Sequence, residues 1–250
     1  DVAVEFVLGD ENVAAIDFDL PCDLVAITGA TLHAPRIGEL CRACRERRIP
    51  VALGGTYATL QHDRCMNLAD FHFIGEAEST WPLLLEDLEK GRLERIYRAD
   101  CQTEMTRQVD PDRAKLERGR YFADIVQTTK GCPFDCEFCS VSVFDGRKLR
   151  HKNISQVVSE IETILKDDNQ YKKKSIFFAD DNIIADRDYA RELFTVLKPF
   201  NLNWSCQGSI NISKDPDLLS LMKAAGCGAI LVGLESISSR NLEAMGKNVN

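Results

Sequence analysis

The sequence predicts an α/β protein made of two parts: a truncated doubly wound, Rossmann-like domain over residues 1–91 and a partial βα barrel over residues 122–250. In both parts, short apolar runs alternate with segments of helical periodicity. Such alternation favours a parallel sheet with right-handed crossovers. Residues 92–121 are charged and lack apolar periodicity, so they are predicted to be a linker.

The first part is predicted to contain four strands. Each is a short apolar run, and together they are residues 4–8, 24–28, 49–53 and 71–74. Helices are predicted between them, at about residues 37–44, 58–68 and 79–89. Cys41 and Cys44 share one helical face with Ile37, so we expect them in the core and not at a metal site.

The second part is predicted to contain four strand–helix units. The strands are residues 125–128, 175–179, 203–207 and 229–233, and the helices lie at about residues 157–165, 189–197, 216–225 and 241–245. The third helix has clear boundaries, because Asp215 is a typical N-cap, Pro216 suits the first helical position and Gly226 ends the helix. A complete barrel has about eight such units, so we expect this one to be truncated.

Charge and composition restrict the class of protein. The 31 Lys and Arg residues against 39 Asp and Glu residues give a net charge of -8, which disfavours nucleic-acid binding by the whole surface. No apolar run reaches the length of a bilayer span. Ten cysteines in 250 residues are too few for a disulfide scaffold, so we expect a cytoplasmic protein in which some cysteines bind metal.

Three cysteines form the most specific motif. Cys132, Cys136 and Cys139 have the spacing C-x3-C-x2-C directly after a predicted strand, at the end where such sheets place their functional residues. Thiolates bind both iron–sulfur clusters and zinc. Three thiolates would leave one iron of a 4Fe-4S cluster open to a ligand, whereas zinc would need a fourth ligand, for which His151 is a candidate.

This motif, with the aromatic Phe138 before its last cysteine, resembles the signature of the radical S-adenosylmethionine (SAM) superfamily. The resemblance implies that the three cysteines bind a 4Fe-4S cluster, that SAM binds the free iron, and that Phe138 lies near the adenine. It also implies reductive cleavage of SAM to a 5'-deoxyadenosyl radical, which abstracts hydrogen from a small-molecule substrate. An electron donor such as flavodoxin or ferredoxin would supply the electron.

The resemblance also assigns SAM contacts to the ends of the next three strands. By position, Asp180 or Asp181 accepts hydrogen bonds from the SAM amino group, although the glycines of the family's Gly-Gly-Glu-like segment are absent. Two further segments would complete the site. Gln207 and Ser209 are polar residues at the end of strand three, and Gly233 and Glu235 form a Gly-x-Glu segment at the end of strand four. The alternative is that all of these are ordinary turn and cap residues.

Residues 23–91 resemble the cobalamin-binding domain that precedes many radical SAM barrels. The resemblance implies that threonine hydroxyls bind the nucleotide tail of cobalamin and that glycines give it room, at Thr28, Thr31, Gly54 and Gly55. Tight turns without a ligand are the alternative. The D-x-H-x-x-G motif of a cobalt lower ligand occurs at residues 70–75, but it lies in a predicted strand, so His72 is predicted to be a strand residue.

Residues 178–182 and 233–238 are similar to the radical SAM group that includes the hopanoid C-2 methylase. This resemblance implies cobalamin-dependent transfer of a methyl group to an unactivated carbon. Methylthiolation, cyclisation and rearrangement are alternative reactions of the same barrel. A non-catalytic protein that binds zinc or an iron–sulfur cluster is the alternative from another class.

Overall fold

The computed structural model describes residues 4–166 and 175–247. The chain divides into two compact units, Asp1–Thr103 and Glu104–Asn250. This boundary lies within the segment predicted as a linker, residues 92–121. Each unit contains a parallel sheet with helices packed against it, so the predicted α/β class is confirmed. Among the described helices, none is long and apolar enough to cross a bilayer.

The first unit is built on a parallel sheet whose strands follow one another in chain order. The strands are β1 (Val25–Thr28), β2 (Val51–Gly54), β3 (Phe71–Ile74) and β4 (Ile96–Arg98). The helices are α1 (Ala34–Glu46), α2 (Gly55–Leu60), α3 (His62–Cys65) and α4 (Ala77–Lys90). A doubly wound sheet reverses its strand order, and the described strands contain no reversal, so that topology stays a prediction.

Helices lie against both faces of this sheet, because alternate residues of a strand point to opposite faces. Leu53 of β2 packs in the same apolar cluster as Cys41 and Cys44 of α1. Ala52, the neighbouring strand residue, packs with Leu84 of α4 in a second cluster. Cys41 and Cys44 are therefore core residues, as predicted.

The structure corrects two predicted elements of this unit. Residues 4–8 do not form a strand, and Val7 keeps 70% of its surface accessible. A strand depends on pairing and on a buried face, and this apolar run is exposed along its whole length. The single helix predicted at residues 58–68 is divided into α2 and α3, because the chain leaves helical geometry at Gln61 (φ -128°).

The second unit also contains a four-stranded parallel sheet. Its strands, in spatial order, are β5 (Ala123–Val126), β8 (Ser175–Phe178), β9 (Trp204–Gly208) and β10 (Cys227–Val232). A separate antiparallel pair is formed by β6 (Thr129–Lys130) and β7 (Arg150–His151). The helices are α5 (Val141–Phe144), α6 (Ile154–Lys166), α7 (Arg187–Leu197), α8 (Pro216–Ala224) and α9 (Ser239–Ala244). The four predicted strands and four predicted helices of this part are confirmed, with small shifts at their ends.

The two faces of the second sheet differ. Phe178 and Cys206 lie on the face that packs into a buried apolar core with α6, α7 and α8. Ile125, Gln207 and Leu231 lie on the opposite face, which we call the inner face. Ile125 and Leu231 keep 60% and 65% of their surface accessible, so the inner face is open in the described part of the chain.

Candidate functional site

The carboxyl ends of β5, β8, β9 and β10 lie side by side at one edge of the second sheet, because the four strands are parallel. The ends of these strands and the segments after them carry all the side chains predicted to bind the cluster or SAM. We call residues 132–139, which follow β6, the cysteine loop.

Close backbone contacts fix the start of the cysteine loop. Gly131 has φ +87°, and a Cβ atom there would lie 2.6 Å from the carbonyl oxygen of Lys148, so this position requires glycine. The Cys132 N–H donates a hydrogen bond to the carbonyl oxygen of Gly146 (N···O 3.1 Å). The residues just before β7, Gly146 and Lys148, therefore fix the start of the cysteine loop.

The three cysteines present free, partly exposed thiols. Burial raises the pKa of Cys132 and of Cys136, and the charge of Lys247 opposes this shift at Cys136. Within residues 4–166 and 175–247, no three His, Cys, Asp or Glu side chains are close enough together to hold one metal ion. The loop therefore offers three free thiols as donors, and thiolates are ligands of soft-metal centres.

His151, the candidate fourth zinc ligand, contacts other residues. Its ring centroid lies 4.5 Å from that of Tyr189, and its Nε2 lies 3.4 Å from Oδ2 of Asp186, the N-cap of α7. The described residues do not bring it together with the cysteines in a single metal site.

Asp180, one of the two candidates for the SAM amino group, is completely buried. Its Oδ1 accepts hydrogen bonds from the Thr128 N–H (3.1 Å), the Thr128 hydroxyl (2.7 Å) and the Thr129 hydroxyl (2.6 Å), and also from the Thr129 N–H. Burial raises the pKa of Asp180, and these donors oppose the shift. The carboxylate thus joins the end of β8 to the end of β5, and its position favours a structural role.

Asp181 lies in a different environment. Its Oδ2 is buried and has no hydrogen-bond partner among the described residues. Burial raises the pKa of Asp181 to about 6, the charges of Asp145 and Asp180 add to this, and the Gly131 N–H opposes it. Its negative charge also acts on Cys132, so the carboxylate lies near the start of the cysteine loop. This unpartnered acceptor distinguishes Asp181 from Asp180 as the residue available to a cationic group.

The two candidates at the end of β9 also differ. Gln207 is partly buried on the inner face. Ser209 belongs to a local network, in which its hydroxyl donates to Asn211 Oδ1 (2.7 Å) and its N–H donates to Asn182 Oδ1 (3.2 Å). Asn182 Nδ2 donates back to the Ser209 hydroxyl (3.2 Å). Asn182, which sequence reasoning did not assign to the site, therefore joins the ends of β8 and β9, and Asn211 orients the Ser209 hydroxyl.

Glu235 follows β10 in a strained backbone conformation, with φ +57°. Its Oε1 fits against Gly233, where any Cβ atom would collide with it. Lys247 Nζ lies 3.5 Å from the same Oε1 and 5.6 Å from the ring centroid of Phe138 in the cysteine loop. Sequence reasoning missed Lys247, because twelve residues separate it from Glu235 and only the fold brings the two together.

In the first unit, the candidate cobalamin residues lie at the ends of β1 and β2. Gly55 has φ +81°, and a Cβ atom there would collide with the Thr28 hydroxyl, so the two strand ends approach closely. Thr28 and Thr31 are exposed, and Gly54 is partly exposed. His72 is 1% exposed in β3, with Nε2 3.1 Å from a backbone carbonyl oxygen, so it is a strand residue as predicted.

A family model described as the radical SAM superfamily matches residues 126–250. The chain belongs to the radical SAM superfamily. The resemblance found in the sequence is thereby confirmed, and the match begins in β5 and includes the cysteine loop.

This radical SAM chain is similar to named methyltransferases. It is 30% identical, over 99% of its length, to the hopanoid C-2 methylase of Rhodopseudomonas palustris (strain TIE-1). It is 28% identical, over 93% of its length, to the bacteriochlorophyllide d C-8(2)-methyltransferase of Chlorobaculum tepidum. It covers 48% and 54% of those two proteins, so it spans about half the length of the curated relatives that it matches.

A solved structure also has a fold similar to that of this chain. The structure of the cobalamin-dependent S-adenosylmethionine radical enzyme OxsB, with aqua-cobalamin and SAM bound, matches with a TM-score of 0.72 at 17% identity. The match covers 90% of this chain and 37% of that chain. At this identity the likeness concerns the fold alone.

Proposed function

We propose that this protein binds a 4Fe-4S cluster through Cys132, Cys136 and Cys139 and cleaves SAM reductively beside it. The observation that carries the proposal is the buried Oδ2 of Asp181, which has no hydrogen-bond partner in the described part of the chain and lies next to a loop of three free thiols. A positively charged amino group would satisfy that oxygen. Three thiolates leave one iron for a ligand, and SAM offers both an amino and a carboxylate group to such a site.

The cluster, when bound, would supply the electron that cleaves SAM, which an external donor such as flavodoxin or ferredoxin would provide. The chain's own residues would bind and orient SAM. Asp181 would accept hydrogen bonds from its amino group, and Phe138 would lie against the adenine. Gln207 would face the carboxylate or ribose from the inner face, and Glu235 would accept further hydrogen bonds. Asp180 would hold the ends of β5 and β8 in place.

We further propose that the first unit binds cobalamin and that the protein transfers a methyl group to an unactivated carbon of a small molecule. Two relatives named for methyl transfer align with almost the whole chain, which supports this reaction. The exposed threonines and the close glycine contact at the ends of β1 and β2 support a cobalamin site there. Methylthiolation, cyclisation and rearrangement are the alternative reactions.

The experiment that tests SAM cleavage compares the wild-type protein with Cys136→Ala after anaerobic reconstitution with iron and sulfide. We expect 5'-deoxyadenosine from the wild type in the presence of SAM and a strong reductant, and none from the variant, because one cluster ligand is missing. Cys101→Ala, which removes an exposed thiol of the first unit, is the matched control and should retain the wild-type rate.

Metal analysis of the same samples separates the competing classes. About four irons with sulfide per chain would support the proposal, whereas about one zinc without sulfide would contradict it. Transfer of a labelled methyl group from SAM to the substrate, dependent on cobalamin, would distinguish methyl transfer from the alternative reactions.

A further inference from the structure

We infer that Lys247 is a positioning residue that connects the cysteine loop to the end of β10. Its side chain keeps only 10% of its surface accessible. The ammonium group lies between two partners, the Glu235 carboxylate at 3.5 Å and the Phe138 ring at 5.6 Å from its centroid. This inference rests on the proposed function, in which both partners contact SAM.

Backbone contacts bring Lys247 to this place. The Met245 carbonyl, just after α9, accepts a hydrogen bond from the Glu137 N–H of the cysteine loop (2.9 Å). Gly246 has φ +65°, and a Cβ atom there would lie 2.8 Å from the carbonyl oxygen of Asp135. The Lys247 N–H donates a hydrogen bond to the carbonyl oxygen of Leu242 in α9 (N···O 2.9 Å). The end of α9 therefore packs directly on the cysteine loop and directs Lys247 toward it.

The Lys247 side chain is largely removed from water, because only 10% of its surface is accessible. A largely buried cation is stable only where nearby groups replace its hydration, and a carboxylate and the face of an aromatic ring both do so. Glu235 also has φ +57°, which is unfavourable for a residue with a side chain. The ion pair with Lys247 orients the Glu235 carboxylate, which also lies against Gly233.

The consequence concerns SAM binding. Phe138 and Glu235 belong to separate elements, so a molecule that contacts both needs them at a fixed separation. Lys247 contacts both and would maintain that separation without contributing to the cluster ligands. Its positive charge close to the cysteine loop would also favour the more negative, reduced state of a bound cluster.

The test uses the reconstituted protein and three variants. Lys247→Met removes the charge, Lys247→Arg keeps it, and Lys166→Met removes a lysine that pairs with Glu162 on the exposed surface of α6. The measurements are iron and sulfide content, the SAM dissociation constant by equilibrium dialysis, and the reduction potential of the cluster. We expect Lys247→Met to retain its iron, to bind SAM about tenfold more weakly, and to have a more negative potential.

Lys247→Arg and Lys166→Met should both resemble the wild type in affinity and potential. Unchanged SAM affinity in Lys247→Met would overturn the inference, and so would loss of its iron or a failure of Lys247→Arg to restore binding. Failure of the wild-type protein itself to bind iron or SAM would instead contradict the proposed function, so the two failures are distinguishable.

Discussion

At the scale of single residues, two adjacent carboxylates have different surroundings. The sequence places Asp180 and Asp181 at the end of a strand, but it gives no reason to choose between them. Thr128 and Thr129, about fifty residues earlier, donate hydrogen bonds to Asp180, whereas Oδ2 of Asp181 has no partner among the residues that the structure describes. Sequence patterns do not reveal which of two neighbours meets donors from a distant segment.

This difference predicts that two isosteric substitutions affect different properties of the protein. Asp181→Asn removes the charge beside the cysteine loop, so SAM affinity should fall about tenfold while stability is maintained. Asp180→Asn should lower the free energy of unfolding by about 2 kcal/mol, because an amide accepts more weakly than a carboxylate and buries new N–H donors. Urea unfolding and SAM equilibrium dialysis measure the two quantities. Equal effects of the two substitutions on affinity would contradict the assignment.

At the scale of elements, the sequence predicted strands and helices where the apolar pattern was long enough. It placed the first strand of the second sheet at residues 125–128, whereas β5 is Ala123–Val126, because Thr128 and Thr129 leave the sheet to bind Asp180. It missed β4, which has only three residues and one buried side chain, Tyr97. Short strands are defined by their pairing partners, and periodicity does not detect them.

The start of α8 shows the opposite case, in which local sequence determines an element boundary. The predicted N-cap, Asp215, accepts a hydrogen bond from the Leu218 N–H (3.0 Å). It also forms ion pairs with Arg187 (3.0 Å) and Arg191 (2.6 Å) of α7. The cap was predictable from three neighbouring residues, whereas the ion pairs that join two helices were not.

We expect Asp215→Ala to lower the melting temperature by about 2–4 °C. The Leu218 N–H and the two arginines lower the pKa of Asp215 from 3.8, so its stabilising contribution is complete well above that pH and is lost as the pH falls through the lowered value. The difference in melting temperature between the wild type and Asp215→Ala should therefore be the same at about pH 5 and pH 7. Asp215→Asn, which keeps a capping oxygen, should show a smaller loss. A decrease in melting temperature that occurs at only one of these two pH values would contradict this account.

At the scale of the whole molecule, function is predicted to divide between the two units. Parallel strands bring their carboxyl ends to one edge, so the sequence could predict that the cysteine loop and the ends of β8, β9 and β10 meet. It could not predict Lys247, because the position of α9 relative to the cysteine loop depends on tertiary contacts. In the first unit, the sequence predicted that Gly54 and Gly55 make room for cobalamin. The structure shows a close contact at one of them, because a Cβ atom at Gly55 would collide with the Thr28 hydroxyl.

The proposed division of cofactors can be tested at Gly55, where a Cβ atom would collide with Thr28 at φ +81°. Gly55→Ala should shift the end of β2 and weaken cobalamin binding about tenfold, while iron content and 5'-deoxyadenosine production stay at wild-type levels, because those depend on the second unit. Gly38→Ala is the matched control, because the added Cβ on α1 would meet no described atom within 4 Å apart from the neighbouring backbone of its own helix. Cobalamin absorbance after gel filtration measures retention. Wild-type retention by Gly55→Ala would show that these strand ends are not the site, and failure of the wild type to retain cobalamin would contradict a cobalamin site in this unit.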